Sequence, residues 1–316
     1  MPRIQPQGPE VARRIRAAKM FEILPQLLLN SLIAGSIYAL ISSGFSLNYG
    51  LFRILNFAHG HFMMVGAYIF YLFIAELGFG LSLASLFTLG IAFLFSWCTL
   101  NVFVTPFLRY HFLLVLITTI AFGHMAEAII SMGFGVNVKS LSAGSLGESI
   151  VIGSVYVTPI QIIIIVSAML LLFALAATIH CSSLGRKIRA LSINSHAAES
   201  LGINRSRVTS YAYLVSVILA FYAGIVVAYE TNIQPTMGMA YTLKAFASMV
   251  LGGFGNIWGT VAGAYLLGFV ENLSIGLDFG GYSIPASYKD AFAFMIMLLI
   301  LLIKPEGLFQ RKKRSV

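Results

Sequence analysis

The sequence predicts an all-α integral membrane protein, and three observations carry that prediction. Hydrophobic residues fill 59% of its 316 positions and only 10% are charged, where a soluble domain carries about a quarter charged residues. The apolar residues gather into runs of roughly span length. The basic residues gather between those runs, as they do in cytoplasmic loops. A chain of this size cannot hide so much apolar surface from water, so lipid is the solvent for most of it. The net charge of +9 would suit nucleic acid only with basic and aromatic residues interleaved on a soluble face, and this clustering excludes that class. Cys98 sits inside an apolar run and Cys181 beside a basic loop, so neither reads as half of a disulfide framework.

Eight apolar elements follow, at about 24–47, 57–77, 81–103, 113–132, 159–180, 208–229, 243–275 and 289–303. The first follows Arg13, Arg14, Arg16 and Lys19, but from Ile23 to Leu47 it is too long for a cleavable signal core and reads as a retained anchor. The second is entered through Asn48, Arg53 and the run Asn56-Phe57-Ala58-His59-Gly60. The seventh is interrupted by Gly252-Gly253-Phe254-Gly255-Asn256. Such clusters stop helices, and in lipid the freed backbone must be buried in protein or line a wet cavity. Six full spans plus two broken or re-entrant elements put both termini and the loop 181–207 in the cytoplasm. This topology also places sixteen of the twenty Lys and Arg residues there. The resulting organisation is a basic cytoplasmic segment 1–22, a permease-like membrane domain 23–304 and a basic tail 305–316. Span, broken element and returning span occur in the same order at 24–103 and 208–303, and both broken elements contain Gly-Ala-Tyr, at Gly66-Ala67-Tyr68 and Gly263-Ala264-Tyr265. The order suggests a pseudo-repeat of the two halves.

Three groups of residues could carry function. The loop 181–207 is the most polar stretch between spans, and Ile188, Leu191, Ala198 and Leu201 give it an incomplete apolar stripe that Gly202 ends. Such a helix could dock in a partner's groove or lie among anionic headgroups. Next, a half-helix beginning near Phe57 would aim its positive end at a solute carboxylate. Asn48, Asn56, Phe57, His59, His61, Gly252, Gly253 and Asn256 are therefore candidate pathway residues, or else caps for the broken backbone. His59 and His61 are spaced i and i+2 with no third ligand in view, which argues against a metal site. Finally, His124 and Glu127 share a helix face at i and i+3. They form an intramembrane polar pair that suits either a proton relay in an ion-coupled carrier or a packing hydrogen bond. Glu76, Glu230 and Glu271 fall near outer ends and are assigned no role.

The loop resembles the coupling loop of ABC importer permeases, whose pattern is Glu-Ala-Ala followed by Gly; here His196-Ala197-Ala198 precedes Gly202, with histidine replacing the acid. The stretch Gly185 to Ile203, Asn30-Ser31-Leu32 with Gly35-Ser36-Ile37-Tyr38-Ala39-Leu40, and Asn56 to Gly60 are similar to branched-chain amino acid permeases of the LivH type. So are Leu251 to Asn256 and Lys304-Pro305-Glu306-Gly307-Leu308-Phe309. His61 again replaces that family's usual acid. Sugar permeases of the same superfamily fit less well at 56–60 and 304–309.

The resemblance implies a bacterial inner-membrane transport subunit with no enzymatic activity and no bound cofactor. Its partners would be a second, LivM-like permease or a second copy of itself, two ATPases that use ATP and Mg, and an extracytoplasmic solute-binding protein. It assigns coupling to Arg186, Arg189, Ser195, His196, Ala197, Ala198, Glu199, Leu201, Gly202 and Ile203. The chain itself carries no GxxxxGK[ST] phosphate loop.

Overall fold

The computed structural model describes residues 9–108, 112–141, 149–153, 155–276, 285 and 288–309. Side chains are described from Ile23 onward, so the basic residues Arg3 to Lys19, Arg109 and the tail residues Arg311 to Arg314 lie outside them. The chain runs through α1 (Pro9–Phe52), α2 (His59–Tyr71) with a π-turn at Leu72–Glu76, and α3 (Leu81–Thr99). A second π-turn, Leu100–Val104, joins α3 to α4 (Thr105–Leu108). Then come α5 (Phe112–Phe134), α6 (Pro159–Cys181), α7 (Ser183–Ile193), α8 (Ser195–Ser200), α9 (Arg205–Glu230), α10 (Met237–Gly252), α11 (Ile257–Gly276) and α12 (Lys289–Ile303). A small antiparallel hairpin before α6 pairs β1 (Ile150–Ile152) with β2 (Val155–Val157), Ile150 opposite Val157. The β-branched runs Ile150–Ile152 and Val155–Val157 on either side of Gly153-Ser154 carry the signal for it, which a reading by apolar spans passes over.

This is an all-α membrane fold, because helices satisfy their own backbone groups where lipid cannot. Among the described residues five helical segments are long and apolar enough to span: Ile23–Phe52, Leu81–Phe107, Leu113–Phe134, Pro159–Cys181 and Arg205–Glu230. The pair α10 and α11, bent by 118°, makes a sixth if counted as one. The second and eighth expected elements are shorter helices, α2 of 13 residues and α12 of 15. Six full spans is therefore more than helix length supports.

Ile23 and Phe309, near the two described ends of the membrane domain, lie at opposite ends of the helices. At its C-terminal end α1 meets α7, where Arg53 donates to the Ser192 carbonyl at 3.1 Å. At its other end Gln26 exchanges hydrogen bonds with the backbone of Tyr156, in the hairpin that precedes α6. Because α6 runs from that hairpin to α7, Ile23 lies on the face opposite α7 and α8. The C-terminal segment lies on the α7 side, where the Leu308 N–H donates to the Leu251 carbonyl and Asn256 Nδ2 to the Phe309 carbonyl. The second element is corrected in the same way. It leaves α1 beside α7, starts α2 against Ile41 in the middle of α1, and ends with Tyr71 against Phe134 and Lys139. It joins the two faces and does not turn back. The seventh element does turn back: α10 descends to Gly253 (φ 104°) and Gly255 (φ 73°), beside Gly50, and α11 returns. Left-handed backbone of this kind favours glycine.

The halves exchange partners. Helix α9 packs on α2, with Phe62 against Tyr213 and Phe70 against Tyr229, and on α3 through Phe95 and Phe221. Helix α1 packs on α10 through Tyr38 and Tyr241, and on α11 through a hydrogen bond between the Ser36 and Tyr265 hydroxyls and one from Thr260 to Ser46. The starts of α2 and α10 meet, the Gly60 N–H donating to Thr242 Oγ1 at 3.0 Å. Thus α1–α2–α3 and α9–α10–α11 make repeat-like contacts with each other across the two halves. The close crossing of α9 on α2 requires Gly224, where a Cβ would overlap the Met63 carbonyl oxygen. Gly224→Val is expected to destabilise the fold by about 1–3 kcal/mol through overpacking. The monodisperse fraction after detergent extraction would measure this, and an unchanged fraction would contradict the packing argument.

Candidate coupling surface and intramembrane polar clusters

The expected single polar loop is two capped helices. Ser182 caps α7 by accepting from the Gly185 N–H at 2.9 Å, and Asn194 caps α8 by accepting from Ala197 at 3.1 Å. Asn204 caps α9 by accepting from Arg207 at 3.0 Å. Side-chain caps of this kind satisfy the free N–H groups at a helix start. Gly202 ends α8 in left-handed geometry (φ 82°), its N–H reaching the Glu199 carbonyl while Ile203 reaches that of Ala198. Gly185 lies directly against the backbone of Ile179, leaving no room for a side chain, and Arg189 donates to the Ile179 carbonyl.

One face of this unit is buried on the spans through Ile188, Leu191 and Ala198. Leu201 does not share that stripe: it is 84% exposed, and Ile193, which sequence reasoning missed, is 85% exposed. Arg186, Lys187, Ser195, His196, Ala197 and Glu199 surround them, all exposed except the half-buried Ser195, and Glu199 pairs with Arg205 at 3.7 Å. Ile193 and Leu201 are large apolar side chains exposed among polar and basic residues. Ile193 ends its helix outside the i, i+3, i+4 pattern of the buried residues, so its exposure was the available signal.

The residues around the start of α2 are held inside the subunit. Asn48 donates to Ser216 Oγ at 2.8 Å, and Ser216 donates on to the Gly44 carbonyl. Asn56 Oδ1 accepts from the Ala58 N–H, and His59 Nε2 lies 3.1 Å from the Ile41 carbonyl between Phe45 and Phe62. With the Gly60 N–H taken by Thr242 and that of His59 by the Asn56 carbonyl, these donors of the half-helix are used within the chain. Phe57 packs on Phe246. Gly252 packs on Gly259, and Asn256 caps α11 by accepting from the Gly259 N–H; both lie with Gly253 at the bend on the α7 side.

His61 leaves this group and joins another. It packs between Gly123 and Gly238, 98% buried, with its Nε2 3.9 Å from Glu127, while His124 Nδ1 is 3.7 Å from the same carboxylate. The predicted pair is therefore a cluster of three. The His124 side chain is 66% exposed in the middle of a span, and such a group is costly against lipid. That face of α5 meets other protein or water.

Sequence reasoning gave Glu271 no role, and this too is corrected. Fully buried, it accepts from Tyr38 OH at 2.6 Å and pairs with Lys244 at 3.2 Å and Lys289 at 3.5 Å. Lys244 also reaches Tyr38 OH at 3.0 Å and Asp290 at 2.9 Å. Glu230 accepts from Gln161 Nε2 at 3.0 Å, and Glu76 is exposed. The signal for the Glu271 cluster lay in two lysines and an acid within apolar elements, far apart in sequence.

The profile of the family described as "Branched-chain amino acid transport system / permease component" matches residues 27–301. LivH of Escherichia coli (strain K12), a high-affinity branched-chain amino acid transport system permease protein, is 30% identical over 307 residues. That match covers 93% of this chain and 98% of LivH. BraD of Pseudomonas aeruginosa, with the same description, is 32% identical over 300 residues, covering 90% of this chain and 95% of BraD. The ribose import permease protein RbsC of E. coli (strain K12) is 38% identical over 132 residues, covering 40% of each chain.

Proposed function

The chain belongs to the branched-chain amino acid transport system permease family, as a multi-pass inner-membrane subunit of an ABC importer complex and not an enzyme, and from that premise we propose that it forms half of an ATP-driven path leading branched-chain or related amino acids into the cytoplasm. Its partners are a second permease, LivM-like or another copy of this chain, two ATPases that bind ATP and Mg, and an extracytoplasmic solute-binding protein. The α7–α8 surface faces the cytoplasm and carries the ATPase contact. Arg53, Arg186, Lys187, Arg189, Arg205, Arg207 and Lys304 on that side support the orientation by the positive-inside rule. All eight apolar elements serve the bilayer domain. Five of them cross as full-length helices, the short α2 and α12 run part of the way between the faces, and α10 with α11 is a re-entrant hairpin.

The observation that carries the reading is the outward pair Ile193 and Leu201, 85% and 84% exposed on otherwise polar helices. Copurification of the permease with two ATPase chains, and their loss when this pair is made acidic, tests it. Retention of the ATPases would overturn the coupling assignment.

Solute passes along the α5 face that bears His124 and Glu127, against the second permease, with His61 held behind them. In a background lacking Cys98 and Cys181, a cysteine replacing His124 is expected to react with a hydrophilic methanethiosulfonate faster than one replacing Ile129, which is 59% exposed on another side of the helix. Equal, slow labelling of both would contradict this wall.

A further inference from the structure

On the α7 and α8 side, a polar hollow of about 470 Å³ opens between the π-turn Leu100–Val104 and the start of α9. Arg205, Ser206 and Thr209 line it from α9, and Asn101 and Thr105 from the opposite wall. An apolar slot of about 160 Å³ leads on from it toward the middle of the spans, between Phe93, Trp97, Tyr211 and Leu214. Leu100, Asn101 and Ser210 line both, so hollow and slot form one groove along the seam of α3 and α9. Thr105 and Arg205 stand at the ends of the spans Leu81–Phe107 and Arg205–Glu230, which puts the hollow at headgroup depth. Trp97 lies about 12 Å further in, at the helical rise per residue, where acyl chains begin.

The face that carries this groove suits lipid. From Leu81 to Phe107 the sequence has no Asp, Glu, Lys or Arg, and Phe93, Leu94 and Trp97 are all largely exposed. The α5 face, with His124 and Glu127, has no such apolar run. Two arginines stand at the groove against one acid. Arg205 pairs with Glu199 at 3.7 Å, both side chains nearly half exposed. Arg207, one helical turn before Tyr211 on α9, has no ion-pair partner among the described residues. The sum is one net positive charge beside a wall of amide and hydroxyl groups.

We propose that this groove is a binding site for an acidic glycerophospholipid of the phosphatidylglycerol type. Its phosphate lies toward Arg205 and Arg207, its headgroup hydroxyls among Asn101, Thr105 and Ser206, and one acyl chain in the slot against Trp97 and Leu214. Basic hollows between spans at this depth attract anionic headgroups. A phosphate monoanion matches the single net charge, whereas an ethanolamine headgroup would bring its ammonium beside two guanidiniums. The lipid so held ties the end of α3 to the start of α9, next to α8. The site rests on where the spans end and not on the transport reading.

The test uses the full chain in phosphatidylcholine nanodiscs and the fluorescence of Trp97. Trp258→Phe leaves Trp97 as the sole tryptophan, and Trp258 lies away from the groove, on α11 against His180. Phosphatidylglycerol or phosphatidylethanolamine, each brominated on its acyl chains, is added at matched mole fractions as quencher. Half-quenching is expected at about fivefold less phosphatidylglycerol than phosphatidylethanolamine, the effect of one net charge near the membrane surface. Arg205→Gln together with Arg207→Gln should make the two lipids equal. Ser210→Leu, which fills the neck between hollow and slot and keeps both arginines, should reduce the preference as well.

Equal quenching of the unsubstituted groove by the two lipids would overturn the site, since contact would then be that of any lipid at the surface. So would a preference that survives both sets of substitutions. Absence of quenching by either lipid would overturn it too, because protein and not lipid would then cover the slot.

Discussion

Replacing Leu201 with aspartate, together with Ile193, is expected to abolish ATP-driven uptake while leaving the permease inserted and folded. Both side chains point away from the spans, so nothing within the chain depends on them. In an interface, a buried apolar anchor of this size contributes about 2 kcal/mol or more, equivalent to roughly thirtyfold in affinity for each position. Burying a new carboxylate there adds a desolvation penalty. Uptake into vesicles and ATPase retention on purification should fall together. Ala198 and Gly202 are less clean positions: Ala198 is buried against the spans, and Gly202 holds a left-handed turn at φ 82°. Bulky charged replacements there should also stop transport, but part of the loss would come from the helix unit itself.

The second large effect is on stability. Glu271→Gln leaves Lys244 and Lys289 without their buried counter-charge, and breaking such a pair on one side costs about 3–5 kcal/mol. The expected result is a clear drop in the thermal midpoint of the detergent-solubilised protein. Pairing Glu271→Leu with Lys244→Met should recover part of that loss, because it removes two desolvated charges at once. Tyr38→Phe should be milder, losing one hydrogen bond to a charged acceptor, about 1.5–3 kcal/mol. If Glu271→Gln melts with the wild type, the cluster at Tyr38 and Lys244 is not what holds α1, α10 and α11 together.

The membrane class, the positions of the apolar elements and the polar character of the stretch 181–207 were readable from residue pattern, because each is a local property of a short stretch. The route of the chain was not. The run Asn48 to Gly60 stops a helix whether the chain turns back or crosses onward. Only the contacts of Arg53 with Ser192, and of Tyr71 with Phe134, decide between the two. Counting basic residues placed the N-terminal cluster with the loop 181–207. The contacts of Gln26 with the hairpin place Ile23, the first residue whose side chain is described, at the other end of the helices. The His124–Glu127 pair was legible from its i, i+3 spacing, but His61 comes from another helix and reaches it through the space left by Gly123 and Gly238. Glu271 looked like an end-of-span acid because its partners, Tyr38 and Lys244, lie on other helices.

The orientation of the coupling surface bears most directly on all of this. A single cysteine at Leu201, in a chain cleared of Cys98 and Cys181, should resist a membrane-impermeant maleimide applied to intact cells. It should label readily in inside-out vesicles once the ATPase is stripped away. Labelling from outside intact cells would put α7 and α8 beyond the reach of any cytoplasmic ATPase and contradict the account.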